Sequence, residues 1–199
     1  MATGSIWFNL NGRSGNDFML GISDGFSLTF GINLNATTNT ITIGAGTTPL
    51  QATSATAISD TTNWHHLLFS FDLADTNKRH VYIDDTLESM TWSTYTNTNI
   101  DFAPATPNYL IGARAGGDYF QGDLSEVWLD IGTYMDFSVV SNRRKFRTSG
   151  GLPKDLGANG ELPTGSSPEI YLANGRTQTG TTAAFTAFNS PTAVDGPNP

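Results

Sequence analysis

Between Phe26 and Leu34 the chain alternates without a break. Phe26, Leu28, Phe30, Ile32 and Leu34 are apolar, and Ser27, Thr29, Gly31 and Asn33 between them are small or polar. Side chains of a strand point to opposite faces in turn, so strict period two specifies a ribbon with one buried and one wetted face. A helix would scatter these residues around its circumference. Asp24-Gly25 ahead of this run is a hairpin signal, and Phe18, Leu20 and Ile22 alternate in the same way before it, so residues 18–34 predict a hairpin.

The same pattern recurs along the chain. Ile6, Phe8 and Leu10 predict an earlier strand closed by Asn11-Gly12, and Ile41 and Ile43 a short one ending at Gly44. Leu67, Phe69 and Phe71 share one face of a strand from Trp64 to Asp72, and Val81 and Ile83 one face of a strand from Arg79 to Asp84. Tyr109–Ala113 is a further strand. In the strand Leu124–Ile131, Val127, Leu129 and Ile131 face one way and Leu124, Glu126, Trp128 and Asp130 the other. Residues 45–62, mostly Thr, Ala and Ser, read as a loop with at most a weak edge strand, and Trp92 and Tyr95 fall in a Thr/Asn loop. A single helix is expected near 137–147, capped by Asp136 or Ser138 and stopped by Gly150-Gly151.

Many short strands, frequent turns and one late helix specify an all-β, two-sheet antiparallel jelly-roll sandwich with a short helix after the main strands. Twelve Phe, six Tyr and four Trp can fill its core. Residues 1–172 form one domain that includes the helix. Residues 173–199, with Phe185 and Phe188, are a C-terminal tail or an arm that docks on this domain or a neighbour.

Composition narrows the function. The net charge is −8 and only ten residues are basic, against what phosphate neutralisation demands, so no nucleic-acid partner is expected. Arg143-Arg144-Lys145 with Arg147 reads as the solvated face of the helix and its C-terminal end. There is no cysteine, which removes thiolate chemistry and sulfur-bound metals. Met1–Ser5 has neither a basic flank nor an apolar stretch, and no apolar run reaches membrane length, so synthesis in the cytoplasm and no membrane insertion are expected.

The order of the motifs carries a resemblance. Ser5-Ile6-Trp7-Phe8, Trp64-His65-His66-Leu67-Leu68-Phe69-Ser70-Phe71-Asp72, His80-Val81-Tyr82-Ile83-Asp84-Asp85, Tyr109-Leu110-Ile111-Gly112 and Phe120-Gln121-Gly122-Asp123-Leu124-Ser125-Glu126-Val127-Trp128-Leu129 together resemble the concanavalin A-like lectin/glucanase domains, the group of laminin-G and pentraxin modules, over residues 5–131. Trp64, Gly112, Gly122 and Glu126 are the structural marks of that resemblance. Trp64 is expected between the sheets, and Asp85 stands where the family has a turn glycine. Asn142–Phe146, Gly151–Gly157, Pro163-Thr164-Gly165 and Ile170-Tyr171-Leu172 resemble an extension found on lectin-like proteins of tailed bacteriophages. That resemblance implies a non-enzymatic virion protein: a capsid decoration, head fibre or tail-associated adhesin. Its partners would be other virion proteins, copies of itself and a host-surface glycan. A free carbohydrate-binding module is the alternative, and a glycan hydrolase the third reading.

Each chemistry has its candidates beside a plainer reading. Retaining glycosidases place two carboxyls roughly 5–5.5 Å apart. Glu126 and Asp130 lie four residues apart, about 13 Å along a strand, so no catalytic residue is expected. His65 and His66 point to opposite faces and His80 stands alone, so a histidine metal site is not expected. Asp84, Asp85, Asp118 and Asp123 are turn oxygens able to ligate Ca2+, with solvated turn acids the plainer reading. Trp92, Tyr95 and Tyr119 are the candidates for stacking on a sugar, against packing on the sandwich itself.

Overall fold

A computed structural model of the chain describes all residues except 13, 14, 26, 45–48, 174–178, 182–195, 198 and 199. Twelve strands form two antiparallel sheets of six. The strands are β1 (Ala2–Leu10), β2 (Asp17–Asp24), β3 (Ser27–Leu34), β4 (Thr40–Gly44), β5 (Leu50–Ala57), β6 (His65–Phe71), β7 (Arg79–Ile83), β8 (Thr86–Leu87), β9 (Met90–Tyr95), β10 (Pro107–Ile111), β11 (Gly122–Ile131) and β12 (Ile170–Leu172). The first sheet runs β12-β11-β1-β6-β7-β8, and the second β10-β2-β3-β4-β5-β9. The jelly-roll sandwich expected from the alternating runs is present.

The space between the sheets is filled from both sides. Ile6, Phe8 and Leu10 of β1, Leu67, Phe69 and Phe71 of β6, and Val127 and Leu129 of β11 meet Phe30, Ile32 and Leu34 of β3 and Ile41 and Ile43 of β4. Phe30 lies against Phe69, Phe71 and Phe102 with ring centroids 5.1–6.4 Å apart. The alternation placed Leu28 in this core. It is only half-buried, while Phe26 lies outside the described residues.

Bulges change which residues face inward. Glu126 has a positive φ of 48° at a register shift opposite β1, where Ser5 pairs with Trp128 but Trp7 with Ser125. One residue is thereby inserted, and Leu124 joins the core face with Val127 and Leu129, not the outer face with Trp128. A second shift, between Phe18 and Leu20, sends Met19 into the core and puts Phe18 outside, under the Arg114 guanidinium at 5.3 Å.

Three expectations are corrected. Residues 50–57 are no loop: β5 pairs with β4 on one side and β9 on the other. The helix expected over 137–147 shrinks to α1 (Val140–Arg143), whose N-cap Val139 has no side-chain cap. Asp136 instead accepts bonds from the backbone and hydroxyl of Ser138. Trp64 is half-buried ahead of β6 and is not among the residues that fill the core.

Residues 133–172 build a third layer. A second hydrophobic cluster on the outer face of the first sheet joins Leu68, Tyr82, Trp128 and Tyr171 of the strands to Met135, Phe137, Phe146 and Leu156 of the segment lying on them. Trp128 is fully buried, packs edge-on against Phe146 at 5.0 Å, and donates its indole N–H to the Gly160 carbonyl at 2.8 Å. Beyond β12, Thr179 and Thr181 donate backbone bonds to the carbonyls of Tyr171 and Pro168. Phe185 and Phe188 lie outside the described residues.

Candidate functional site

The densest charged constellation lies where β7 turns into β8. Ile83 pairs with Thr86, so Asp84-Asp85 is a two-residue hairpin turn, and both residues take the left-handed conformation such a turn requires, with φ of 51° and 67°. Asp84 accepts the His66 backbone N–H at 2.9 Å and holds His65 Nδ1 at 2.7 Å. Burial raises the pKa of Asp84, but these bonds outweigh it and the net shift is downward, while the same Asp84 bond raises that of His65. Asp85 receives Arg143 Nε and Arg144 Nη2, each at 2.6 Å. With the Arg144 bond the largest cause, the pKa of Asp85 falls to about 2. Arg143 sits 4.5 Å over the Tyr82 ring and donates to the Phe137 carbonyl, and Arg147 lies 3.5 Å from Asp84.

This arrangement revises two sequence readings. The basic run is not a solvated helix face: Arg143 is buried, and it ties the third layer to the hairpin. Asp84 and Asp85, candidate calcium ligands, have their oxygens engaged by His65, by backbone and by arginine. A carboxylate at this turn captures two guanidiniums that a glycine could not.

Beside the turn, on the same outer face, Trp7 stacks on His66 with ring centroids 4.3 Å apart and planes 8° from parallel. The Arg147 guanidinium lies 5.2 Å over the Trp7 ring. Ser5 Oγ is 2.9 Å from His66 Nε2, and burial pushes the His66 pKa down to about 3, so the ring is neutral. Sequence reasoning treated His66 only as a metal candidate and missed this stack. The signal was available: in antiparallel neighbours Trp7 and His66 stand directly opposite one another.

The remaining candidates are dispersed. Glu126, half-buried at its bulge, accepts the Tyr171 hydroxyl at 3.0 Å, and burial raises its pKa. Asp130 is buried four residues along β11. Asp118 is paired with Arg114 at 2.7 Å, and Asp123 lies in β11 opposite Asn9. Among the described residues no three His, Cys, Asp or Glu gather closely enough to hold a metal ion. Gly112 turns the chain after β10 with φ 73°, and Gly122 passes so close to β1 that a Cβ would stand 2.0 Å from the Asn9 carbonyl oxygen.

Of the three aromatic candidates, two belong to the sandwich. Trp92 and Tyr95 lie in β9, not in a loop, and pack against the main core at 5.4 Å from one another, with Arg79 about 5 Å over both rings. The Tyr95 hydroxyl donates to the Asp72 carbonyl at 2.8 Å, and burial raises its pKa to about 12. Tyr119 is 48% exposed and lines a shallow depression of about 230 Å³ with Gly15, Asn16, Asp118 and Gln121. A second depression of about 330 Å³, where the β9–β10 loop meets the start of β1, is lined by Asp72, Asn97, Asn99, Ile100 and Phe102.

No curated protein matches the chain. The native heptameric SAP-like pentraxin of Limulus polyphemus superposes with a TM-score of 0.51 at 14% identity, over 71% of this chain and 68% of that one. Domain 4 of AbnA, an extracellular GH43 arabinanase of Geobacillus stearothermophilus in complex with arabinotriose, gives 0.44 at 18% identity over 64% and 59%. Mouse laminin alpha1 domains LG4-5 give 0.43 at 17% over 69% and 36%, so this chain spans about a third of that fragment. At such identities the likeness is one of fold, and fold alone does not assign function. The family model for the concanavalin A-like lectin/glucanases superfamily matches residues 2–129, which cover β1 to β11 but for its last two residues. The chain therefore belongs to the concanavalin A-like lectin/glucanases superfamily.

Proposed function

We propose that this protein is a non-catalytic, lectin-like binding and structural module carried on the particle of a tailed bacteriophage, as a capsid decoration, head fibre or tail-associated adhesin. The observation that carries the reading is the third layer. The segments that resemble the phage extension, from Asn142 to Leu172, are fastened to the sandwich by Trp128, Tyr171 and the Asp85–arginine pairs. That construction stiffens a display domain. Of the two acids weighed for a hydrolase, Glu126 is engaged by the Tyr171 hydroxyl and stands four residues from Asp130 along β11. The acidic surface would keep crowded copies from clumping.

Mass spectrometry of purified particles tests the placement: the chain should be present at a fixed copy number relative to the major capsid protein. Its absence from particles would remove the virion reading. The carbohydrate-binding module remains the second reading, favoured by the superfamily's fold and by the exposed Tyr119. A hydrolase would release reducing sugar from a polysaccharide panel and lose that activity on Glu126→Gln; none is expected here.

A further inference from the structure

The turn at Asp84-Asp85 gathers more hydrogen-bond donors than its own acceptors use. Among the described residues, seven buried side-chain nitrogens and oxygens have no hydrogen-bond partner, and four of them belong to side chains around this turn: Trp7 Nε1, His66 Nδ1, Arg144 Nη1 and Arg147 Nη1. Trp7 and His66 are only 2% and 1% exposed. Buried polar groups are ordinarily paired, because burial without a partner forfeits their hydration. Four such atoms around one turn mark a place where a ligand supplies what the chain does not.

The four side chains converge. The Trp7 ring lies 4.3 Å from that of His66 and 5.2 Å from the Arg147 guanidinium. The backbone N–H of Arg147 bonds to the Arg143 carbonyl, so Arg144 and Arg147 sit three residues apart on one helical turn and are neighbours on its surface. One reaches Asp85 and the other Asp84, which are consecutive. Gly151 passes over the Arg147 guanidinium, where a Cβ would stand 3.0 Å from Nη2.

The acceptors at the turn are already taken. Asp84 Oδ1 accepts the His66 backbone N–H, and Oδ2 is held by His65 Nδ1. The two oxygens of Asp85 receive Arg143 and Arg144. Arg147 Nη1 stands 3.5 Å from Asp84 Oδ1, beyond hydrogen-bond length. Three guanidiniums thus face two carboxylates, and one positive charge is left over.

We infer that the seam between this turn and the third layer binds a tetrahedral oxyanion, inorganic phosphate or sulfate, held by Arg144, Arg147 and the Trp7 indole N–H. The chemistry selects the ligand. Guanidinium and indole only donate, so they require an acceptor. A water molecule accepts, but its own protons would find the nearby carboxylate oxygens engaged. A cation would be repelled by the surplus charge. An oxyanion only accepts, presents several oxygens to the planar arginine forks and balances that charge. Neutral His66 adds a fourth donor at Nδ1 when the Ser5 hydroxyl donates to its Nε2. The ion would tie β1 and β6 to the turn after α1, and so fasten the third layer to the sandwich. The inference does not depend on the particle reading.

Equilibrium dialysis of the full chain in Tris chloride tests it. Sodium phosphate or sodium sulfate is added at constant ionic strength, and bound anion is measured by ion chromatography after acid denaturation. About one equivalent of phosphate or sulfate per chain should be held at saturation, and the melting temperature should rise in step with occupancy. Arg147→Met, which keeps the apolar stem and deletes the charge, should weaken binding at least about tenfold. Trp7→Phe, which keeps a ring on His66 and deletes the N–H, should weaken it about fivefold. Lys154→Met, an exposed cation on the same layer, should leave it unchanged. If Arg147→Met does not fold, Trp7→Phe decides. Binding undiminished in these two variants would mean an adventitious ion only. That result, an equal rise in melting temperature with chloride alone, or no saturable binding would each overturn the inference.

Discussion

Asp85 sits with a positive φ of 67° in the two-residue turn between β7 and β8, and it holds two arginines at 2.6 Å. The two effects of replacing it oppose one another. Asp85→Gly relieves a left-handed aspartate, worth about 0.5–1 kcal/mol. It also strips the carboxylate from buried Arg143 and its neighbour Arg144, and breaking a partly buried pair of this kind costs about 2–3 kcal/mol. The loss wins, so Asp85→Gly should lower the melting temperature by a few degrees. A melting temperature at or above that of the parent would show that the arginines do not need this acid.

His66 supplies the pH dependence. Folded, its pKa is about 3 because burial disfavours the cation; unfolded, it protonates near 6.5. Its contribution to stability is therefore complete above pH 6.5 and is lost as the pH falls toward 3. His65 acts in the opposite sense, since Asp84 raises its pKa and it stabilises most below pH 6.5. In a His65→Asn background, the melting temperature should fall as the pH drops below 6.5, and adding His66→Gln should flatten that slope. Equal slopes would place a proton on His66 in the folded chain.

Among the elements, β11 depends on its first residue. A methyl at Gly122 would collide with the Asn9 carbonyl of β1, a backbone atom that cannot swing aside. Gly122→Ala should cost about 3 kcal/mol and show as reduced soluble yield or a lowered denaturant midpoint. An unchanged midpoint would mean that β1 and β11 separate easily there. The strands that were legible, β1 to β4, β6, β7, β10 and β11, are those whose inward residues are large. β5 was hidden because its inward residues after Leu50 are Ala52 and Ser54, too small to register as apolar alternation; Ser54 is satisfied instead by the backbone of Ile41 and Thr56. β9 was hidden by the bulge at Ser93, which breaks the period between Trp92 and Tyr95. The helix was overextended because residues 144–147 go on in turns with helix-like backbone bonds, while α1 itself ends at Arg143.

The molecule as a whole is three layers where the sequence predicted two. Alternation could announce the sandwich, but Trp128 on the outer face reads from sequence like an exposed residue until its cover is seen. The candidate site fared similarly. The turn acids and the aromatics were visible as residues, but their engagement by Arg143, Arg144, Arg79 and one another is a matter of long-range contacts. If the cover is integral, Trp128→Ala should cost about 3–5 kcal/mol, as for a core residue. A loss below about 1 kcal/mol, read from the denaturant midpoint, would mean that residues 133–172 rest on the sheet without being needed by it.

Native-state hydrogen exchange decides the matter directly. The backbone N–H groups of Lys154 and Leu162 bond to the carbonyls of Phe146 and Leu156 within the third layer, while those of β6 and β11 belong to the first sheet. If the three layers unfold as one cooperative unit, Lys154 and Leu162 should exchange as slowly as the slowest amides of β6 and β11. Exchange at those two positions a hundredfold or more faster than in the strands would contradict the account, since the layer would then open while the sandwich stays closed.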